Sequence, residues 1–251
     1  MKEADRFHSA YVNEDTISSV KKHIDHIGPT LGVANGGLHF DSRRLAITIE
    51  YMKRHFTDGK TCVEIGSTKY LSSRIIWSFF PDREVTGTEV DLRTAHLPFD
   101  SGSVDNVVAT EVVEHISDIA YQQATTLSGL FFFLEEIYRV LRIGGRALIS
   151  TPNAASVWAM QRICSGDTPL LYDWHFREYT KNELRQIVEH VGFDVVVHNT
   201  EFVWHLWDFG AIFGFLEANG YSIADRGDDQ FIVIQKGPHR RRKPHDLALP
   251  V

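Results

Sequence analysis

The feature that most constrains this chain is a repeated alternation of short apolar strand patterns with helix-period patterns. Residues 61–66, Thr-Cys-Val-Glu-Ile-Gly, read as a short buried strand entered from the Asp58-Gly59 turn signal. A helical segment follows over 71–80 and stops at Pro81, and a second strand covers 84–90. A third strand spans 104–110, a helix 127–141 ending at Gly144-Gly145, and a fourth strand 146–151 stopped by Pro152. The spacing then predicts a helix over 181–191 closed by Gly192, and last strands over 193–198 and 231–235. Strands that alternate with helices form a mostly parallel sheet with helices on both faces. The expected fold is therefore α/β, doubly wound and Rossmann-like, with the final strand antiparallel.

Upstream, residues 1–40 are polar and then glycine-rich, and read as an N-terminal cap segment. Asp41-Ser42 is expected to cap a helix running through Leu45, Ile49 and Met52. The main domain is placed at 41–238. Residues 239–251, with Arg240-Arg241-Arg242-Lys243, read as a basic, solvated tail expected to be disordered.

Composition narrows the function classes. With 251 residues, 43% hydrophobic and 24% charged, the chain can bury a real core. A net charge of -7 gives no global pull on nucleic acid or anionic membrane. No stretch reaches 18 uninterrupted apolar residues, so no membrane span is expected. The charged start Met1-Lys2-Glu3-Ala4-Asp5-Arg6 leads into no apolar segment, and no secretory signal is expected. Cys62 and Cys164 are too few for a disulfide framework, which sets a cytoplasmic expectation.

The first chemical feature is Val63-Glu64-Ile65-Gly66-Ser67. A glycine directly after a buried strand lets the backbone turn close to a ligand, and in doubly wound folds ligands sit beyond the carboxyl ends of the strands. The second is Glu89, at the end of the next strand and 23 positions after Gly66. An acid at about that distance grips a ribose hydroxyl pair, because a carboxylate accepts from both hydroxyls. Asp91 is the neighbouring alternative, for the ribose or for an adenine amino group. A plain turn at Gly66 and an exposed strand end at Glu89 are the competing readings.

Further on come Leu97-Pro98-Phe99-Asp100, Glu111-Val112-Val113-Glu114-His115, Arg139-Val140-Leu141-Arg142-Ile143-Gly144-Gly145 and Ser150-Thr151-Pro152-Asn153. In this order the chain resembles the class I S-adenosylmethionine (SAM)-dependent methyltransferases, in their small-molecule branch, over roughly residues 60–195. The resemblance implies SAM as cofactor. It places Gly66 and Ser67 along the methionine end, Glu89 on the ribose, Leu97 beside the adenine and Glu111 beneath the cofactor. Two departures stand out. The family's three-glycine loop keeps only Gly66, with Thr68 and Tyr70 at the other two places. Only 15 residues separate Glu89 from Asp105, too few for the usual helix and strand, so one sheet edge is expected to be trimmed.

Glu111, Glu114 and His115 fall at i, i+3 and i+4, which puts them on one face of any helix there. With Asp173-Trp174-His175-Phe176-Arg177-Glu178-Tyr179-Thr180, this pattern is similar to the ubiquinone-pathway O-methyltransferases and the small-RNA 3′-terminal 2′-O-methyltransferases. In the latter, matching acids and histidines hold a divalent metal. The resemblance implies a Mg²⁺ or Mn²⁺ site on Glu111, Glu114, His115 and His175, with a Glu114-His115 pair that only caps and hydrogen-bonds as the competing reading. Without metal, His175 or His115 is the general base, since a neutral imidazole accepts a hydroxyl proton near pH 7.

Trp174, Phe176 and Tyr179 are candidates for lining an acceptor pocket, with ordinary core as the plain alternative. The aromatic segment 202–216 reads as packing or a homodimer face in preference to a lid or an acceptor wall. The expected activity is SAM-dependent O-methylation of a small molecule or glycan; the last-strand region, 226–236, has a loose similarity to surface-polysaccharide and natural-product methyltransferases. Against a metal-assisted RNA methyltransferase stand the acidic charge and the absence of a broad basic run before residue 239. A non-catalytic scaffold or regulatory subunit of the same fold is the rival that the eroded glycine loop suggests. A nicotinamide dehydrogenase fits badly, for want of the glycine fingerprint and of a separate substrate domain.

Overall fold

The computed structural model describes residues 9–31, 35–66, 68–118, 127–204 and 210–240. Two helices come first, α1 (Glu14–Ile27) and α2 (Asn35–His55). They are followed by β1 (Thr61–Ile65), α3 (Leu71–Ser78), β2 (Glu84–Thr88), β3 (Val104–Thr110), α4 (Ser128–Val140) and β4 (Leu141–Pro152). The remainder is α5 (Val157–Cys164), α6 (Lys181–Val191), β5 (Asp194–Glu201), α7 (Gly210–Ala218) and β6 (Asp229–Gln235).

The six strands form one sheet in the order β2-β1-β3-β4-β6-β5. The pairs β1–β2, β1–β3 and β3–β4 are parallel, and β6 runs antiparallel to both β4 and β5. This is the expected doubly wound sheet with an antiparallel final strand. The trimmed edge is also present: the chain passes from β2 to β3 with no helix or strand between them, leaving β2 outermost.

Side chains alternate across the strands and so build two separate cores. Val107, Ala109, Ile149, Ile232 and Ile234 face α4 and α6, packing with Leu134, Ile137, Leu184 and Ile187. Their sequence neighbours Val108, Leu148, Phe231 and Val233 face the opposite way, against Leu45, Ile49 and Met52 of α2 and Ile75 and Ile76 of α3. Ile17, Val20 and Ile24 of α1 join this second core. The boundary drawn at 40/41 therefore falls inside α2, and the segment before it shares the domain's core.

Three local readings change. Asp41 and Ser42 lie within α2 rather than capping it. Asp41 accepts from the Trp204 indole at 2.9 Å, and the Ser42 hydroxyl donates to the His39 carbonyl at 2.8 Å. Gly144-Gly145 lie inside β4, not at the end of α4; that helix stops at Val140, and Lys236 Nζ donates to the Leu141 carbonyl at 2.7 Å. The basic segment is anchored at its start, where Arg240 donates to the Val191 carbonyl at 2.8 Å and pairs with Glu135 at 3.1 Å. Residues 241–251 lie outside the described residues. The helix α6 is as expected: Thr180 caps its start by accepting from the Glu183 N–H, and Gly192 ends it at φ 110°.

Candidate active site

The carboxyl ends of β1 and β2 meet through a backbone bridge. Gly66 N–H donates to the Thr88 carbonyl at 2.9 Å, and Thr88 N–H donates to the Gly66 carbonyl at 3.0 Å. Gly66 sits at φ 110°, with open space where a side chain would begin. Only glycine takes that conformation without strain, which explains why one glycine of the loop persists. Gly87 has the opposite constraint. A Cβ there would lie 2.9 Å from the Gly66 carbonyl oxygen and 3.0 Å from the Thr68 nitrogen. The loop after β1 thus folds directly onto the end of β2. Ser67 lies outside the described residues.

The predicted cofactor residues divide in their surroundings. Glu64 is buried, and its carboxylate accepts from the Ser73 hydroxyl and, at 2.5 Å, from the Trp77 indole, both on α3. Burial raises its carboxyl pKa above the usual carboxylate range. Its visible work is to fasten α3 to β1. Glu89 is exposed at the end of β2. Asp91 is taken up by Arg93 on both carboxylate oxygens at 2.9 Å, and that bonding holds it down to about 2. Leu97 is buried in the first core, its N–H on Glu136 at 2.8 Å and its carbonyl on Arg139 at 2.9 Å.

At the end of β3 the chain turns sharply. Glu111 has φ 56°, a left-handed conformation that non-glycine residues adopt at a cost. It is held there by its N–H on the Ser150 carbonyl at 2.9 Å and its carboxylate on the Ser150 hydroxyl at 2.7 Å. Only Val113–His115 then forms a single 3₁₀ turn, so the expected helical face of Glu111, Glu114 and His115 does not exist. Glu111 turns instead toward Arg44 of α2, 3.9 Å away. Arg44 is buried; despite that burial, Glu111, Asp41 and Asp229 hold its guanidinium firmly protonated.

Glu114 and His115 do meet His175. One donor atom from each lies within 4.8 Å of the others. Glu114 is 0% exposed. One of its oxygens accepts from Thr151 Oγ1 at 2.7 Å, while Oε1 has no hydrogen-bond partner among the described residues and lies 3.7 Å from His115 Nε2. Burial raises the Glu114 carboxyl well above the carboxylate range, and the charge of Glu111 adds to this. His115 is lowered by burial and by His175. The two imidazole rings stand edge to face, their centroids 4.8 Å apart.

His175 sits in a tight loop closed by its own N–H on the Tyr172 carbonyl at 3.1 Å and by the Phe176 N–H on the Glu114 carbonyl at 2.9 Å. Its Nδ1 lies 2.6 Å from Glu178 Oε1. Trp174 and Phe176 are 68% and 67% exposed, and Trp174 stacks parallel on Tyr172. Tyr179 is buried in the first core, as the plain alternative had it. In the segment 202–216, Phe213 and Leu216 pack on Val157, and Phe215 is exposed; Trp207 and Phe209 lie outside the described residues.

Three neighbours of this cluster had escaped the sequence reading. Arg44 and Asp229 reach the site from opposite ends of the chain, and nothing in their local sequence marks them. Glu178 was legible in principle, three residues after His175, a spacing at which a carboxylate can reach back to an imidazole.

Polar groups gathered beyond the carboxyl ends of a doubly wound sheet define a ligand-binding α/β domain. A family profile described as a methyltransferase domain matches residues 39–198, and the chain belongs to that family. A Mycolicibacterium smegmatis protein named for SAM-dependent methyltransfer is 38% identical over 109 residues, covering 42% of this chain and 36% of that protein. A Mycobacterium tuberculosis protein of similar name is 34% identical over 99 residues, covering 39% of this chain and 30% of its own length. The matches thus span about a third of these curated relatives. A SAM-dependent methyltransferase from Archaeoglobus fulgidus shares the fold at 16% identity and a TM-score of 0.51, over 79% of this chain and 98% of that one. Among the described residues, no helix is long and apolar enough to cross a membrane.

Proposed function

We propose that this chain transfers a methyl group from SAM to a hydroxyl group of a small molecule or glycan, with His175 as the general base. The observation that carries the reading is the buried His175, fixed on Glu178 and set against His115 and Glu114 beyond the ends of β3 and β4. SAM supplies an electrophilic methyl group on a sulfonium. The open left-handed Gly66 suits close approach of that cofactor, with Ser67 next to it. The exposed Glu89 at the end of β2 suits a ribose hydroxyl pair. Asp91 suits the adenine less well, because Arg93 already occupies both its oxygens. Leu97 would flank the adenine only through the edge of a largely buried side chain. Glu111, pinned to Ser150, would lie beneath the cofactor. His175 takes the acceptor hydroxyl proton, and the exposed faces of Trp174 and Tyr172 offer a stacking surface for the acceptor. Much of the rate would come from holding the reacting atoms in line.

Calorimetry with SAM and S-adenosylhomocysteine tests this, on wild type and Glu89→Ala. Micromolar binding lost in Glu89→Ala supports the reading. No binding to wild type refutes it and favours a scaffold role.

A metal-assisted reaction is the second reading, favoured by the Glu114 Oε1, which has no hydrogen-bond partner among the described residues, and by the cluster Glu114 forms with His115 and His175. The ligands would be Glu114, His115 and His175, with Glu111 displaced toward Arg44 and Ser150. Two imidazoles and a carboxylate suit Mn²⁺ or a similar ion better than Mg²⁺, which prefers all-oxygen sites. Such an ion would lower the hydroxyl pKa and orient it. Loss of transfer in EDTA, restored by Mn²⁺, would select this reading; transfer indifferent to EDTA would remove it.

A further inference from the structure

We propose that Glu178 is a positioning residue that locks His175 in the tautomer protonated on Nδ1, leaving Nε2 as the nitrogen with the lone pair. The inference rests on the reading of His175 as the working imidazole, and holds whether that imidazole takes a proton or binds a metal.

The geometry is specific. Nδ1 of His175 lies 2.6 Å from Glu178 Oε1, and both side chains are 3% exposed. An ionised carboxylate only accepts, so a neutral imidazole in this contact must carry its proton on Nδ1. Nε2 is then the nitrogen left free, with no proton, on the side of the ring away from Glu178.

The same Glu178 oxygen is itself fixed from the backbone, since it accepts from the Leu171 N–H at 2.5 Å. The ring is held from two other sides. Tyr172 stands edge to face with it at 5.3 Å, and His115 at 4.8 Å. The loop carrying the pair is tied to Glu114 through the Phe176 N–H. The arrangement therefore leaves the imidazole little freedom to rotate or to exchange its proton between nitrogens.

A purely structural role accounts poorly for the chemistry chosen. Burying a carboxylate is costly unless it is paired and hydrogen-bonded. Among the described residues the ion pairs of Glu178 include no lysine or arginine; its partner is His175. The adjacent Arg177 is engaged by Glu183. One oxygen both closes the Leu171 turn and faces Nδ1, and an acceptor aimed at Nδ1 selects a tautomer, which a non-accepting side chain could not. Imidazoles that bind metals or protons are commonly oriented by an acceptor on their second nitrogen.

The test is long-range ¹H–¹⁵N correlation spectroscopy of the full ¹⁵N-labelled chain, with His175 assigned by its absence in His175→Gln. Wild type is expected to show the Nδ1–H tautomer at neutral pH, a result that needs no variant to fold. Glu178→Gln keeps an acceptor oxygen and should keep that tautomer; Glu178→Ala should release it to a mixture. Wild-type His175 protonated on Nε2, or a tautomer unchanged in folded Glu178→Ala, would overturn the proposal. SAM affinity should stay within about two-fold in both variants. Methyl transfer, once an acceptor is in hand, should fall at least ten-fold in Glu178→Ala through kcat, with partial retention in Glu178→Gln. If the tautomer moves while transfer does not, Glu178 positions a histidine that is not the base, and it is the base assignment that fails.

Discussion

The close approach of the β1–α3 loop to β2 can be tested with one methyl group. In Gly87→Ala the new Cβ would meet the Gly66 carbonyl oxygen at 2.9 Å, the Thr68 Cγ2 at 2.9 Å and the Thr68 nitrogen at 3.0 Å. Two of these three atoms are backbone and cannot rotate aside, so the loop must lift by a few tenths of an ångström or more. Overpacking of this kind costs about 1–3 kcal/mol. For a chain of this size each kcal/mol lowers Tm by roughly 2–4 °C, so a fall of about 2–12 °C is expected. The functional effect should be larger than the stability effect. The lifted loop carries Gly66, and the hydrogen bond from the Thr88 N–H runs to the very carbonyl oxygen the new Cβ meets. A displacement near 1 Å in a binding loop can cost on the order of 10²-fold. Thermal melts and SAM calorimetry on Gly87→Ala should therefore show a modest Tm loss with at least ten-fold weaker binding. The control is Gly102→Ala, where φ is 72° and nothing lies within 4 Å of the new Cβ. It carries only the left-handed penalty, about 1–2 kcal/mol, and should bind SAM as wild type does. An unchanged Tm in Gly87→Ala would refute the close approach. A lowered Tm with SAM affinity intact would refute the role of this loop in the cofactor site.

Other outcomes are expected. His198 is buried, with Nε2 against Gln230 Oε1 at 3.0 Å, and burial pushes its pKa down to about 4. The unfolded chain then binds the extra proton first, so stability is lost as pH falls from about 6.5 to 4, at up to about 1.4 kcal/mol per pH unit. Denaturant titrations should show that slope in wild type relative to His198→Gln. Asp228, pushed up to about 6 by burial, has the opposite sign. Its stabilisation is full below about 3.8 and is lost as pH rises through 6, so Asp228→Asn should remove a falling contribution over that window. Tyr51→Phe deletes the hydroxyl that donates to Glu201 at 2.9 Å and accepts from Asn199 at 3.0 Å. It should cost about 1–3 kcal/mol by denaturant unfolding while leaving SAM binding unchanged. Trp174→Ala, at a 68% exposed position, should leave Tm within about 1–2 °C and raise the acceptor KM without changing SAM affinity; an unaltered KM would exclude it from the acceptor surface.

Much of the fold was legible because it rests on local periodicity. The two-residue alternation of Val107-Val108-Ala109 and of Phe231-Ile232-Val233-Ile234 decides which face each side chain takes, and Gly192 and Thr180 end and begin α6 by their own chemistry. The 15 residues between Glu89 and Asp105 announced the missing edge elements by length alone. The first helix boundary failed for the converse reason. Asp41 and Ser42 have capping chemistry, but the helix continues back to Asn35, and Asp41 finds the Trp204 indole instead.

By itself, then, the sequence determined the layers, the strand direction and the family, since those follow from short-range pattern and from motif order. It also named Glu114, His115 and His175, because histidines and acids near strand ends are conspicuous. Only the tertiary structure decided what each of them faces. Glu111 left the cluster because its left-handed turn and Ser150 aim it at Arg44, which lies 67 residues earlier in the chain. Glu64 was drawn into α3, and Glu178 was set behind His175 by a loop tied to Glu114. Contacts such as the one between Glu111 and Arg44 depend on long loop closures, and no local window of the sequence contains both partners.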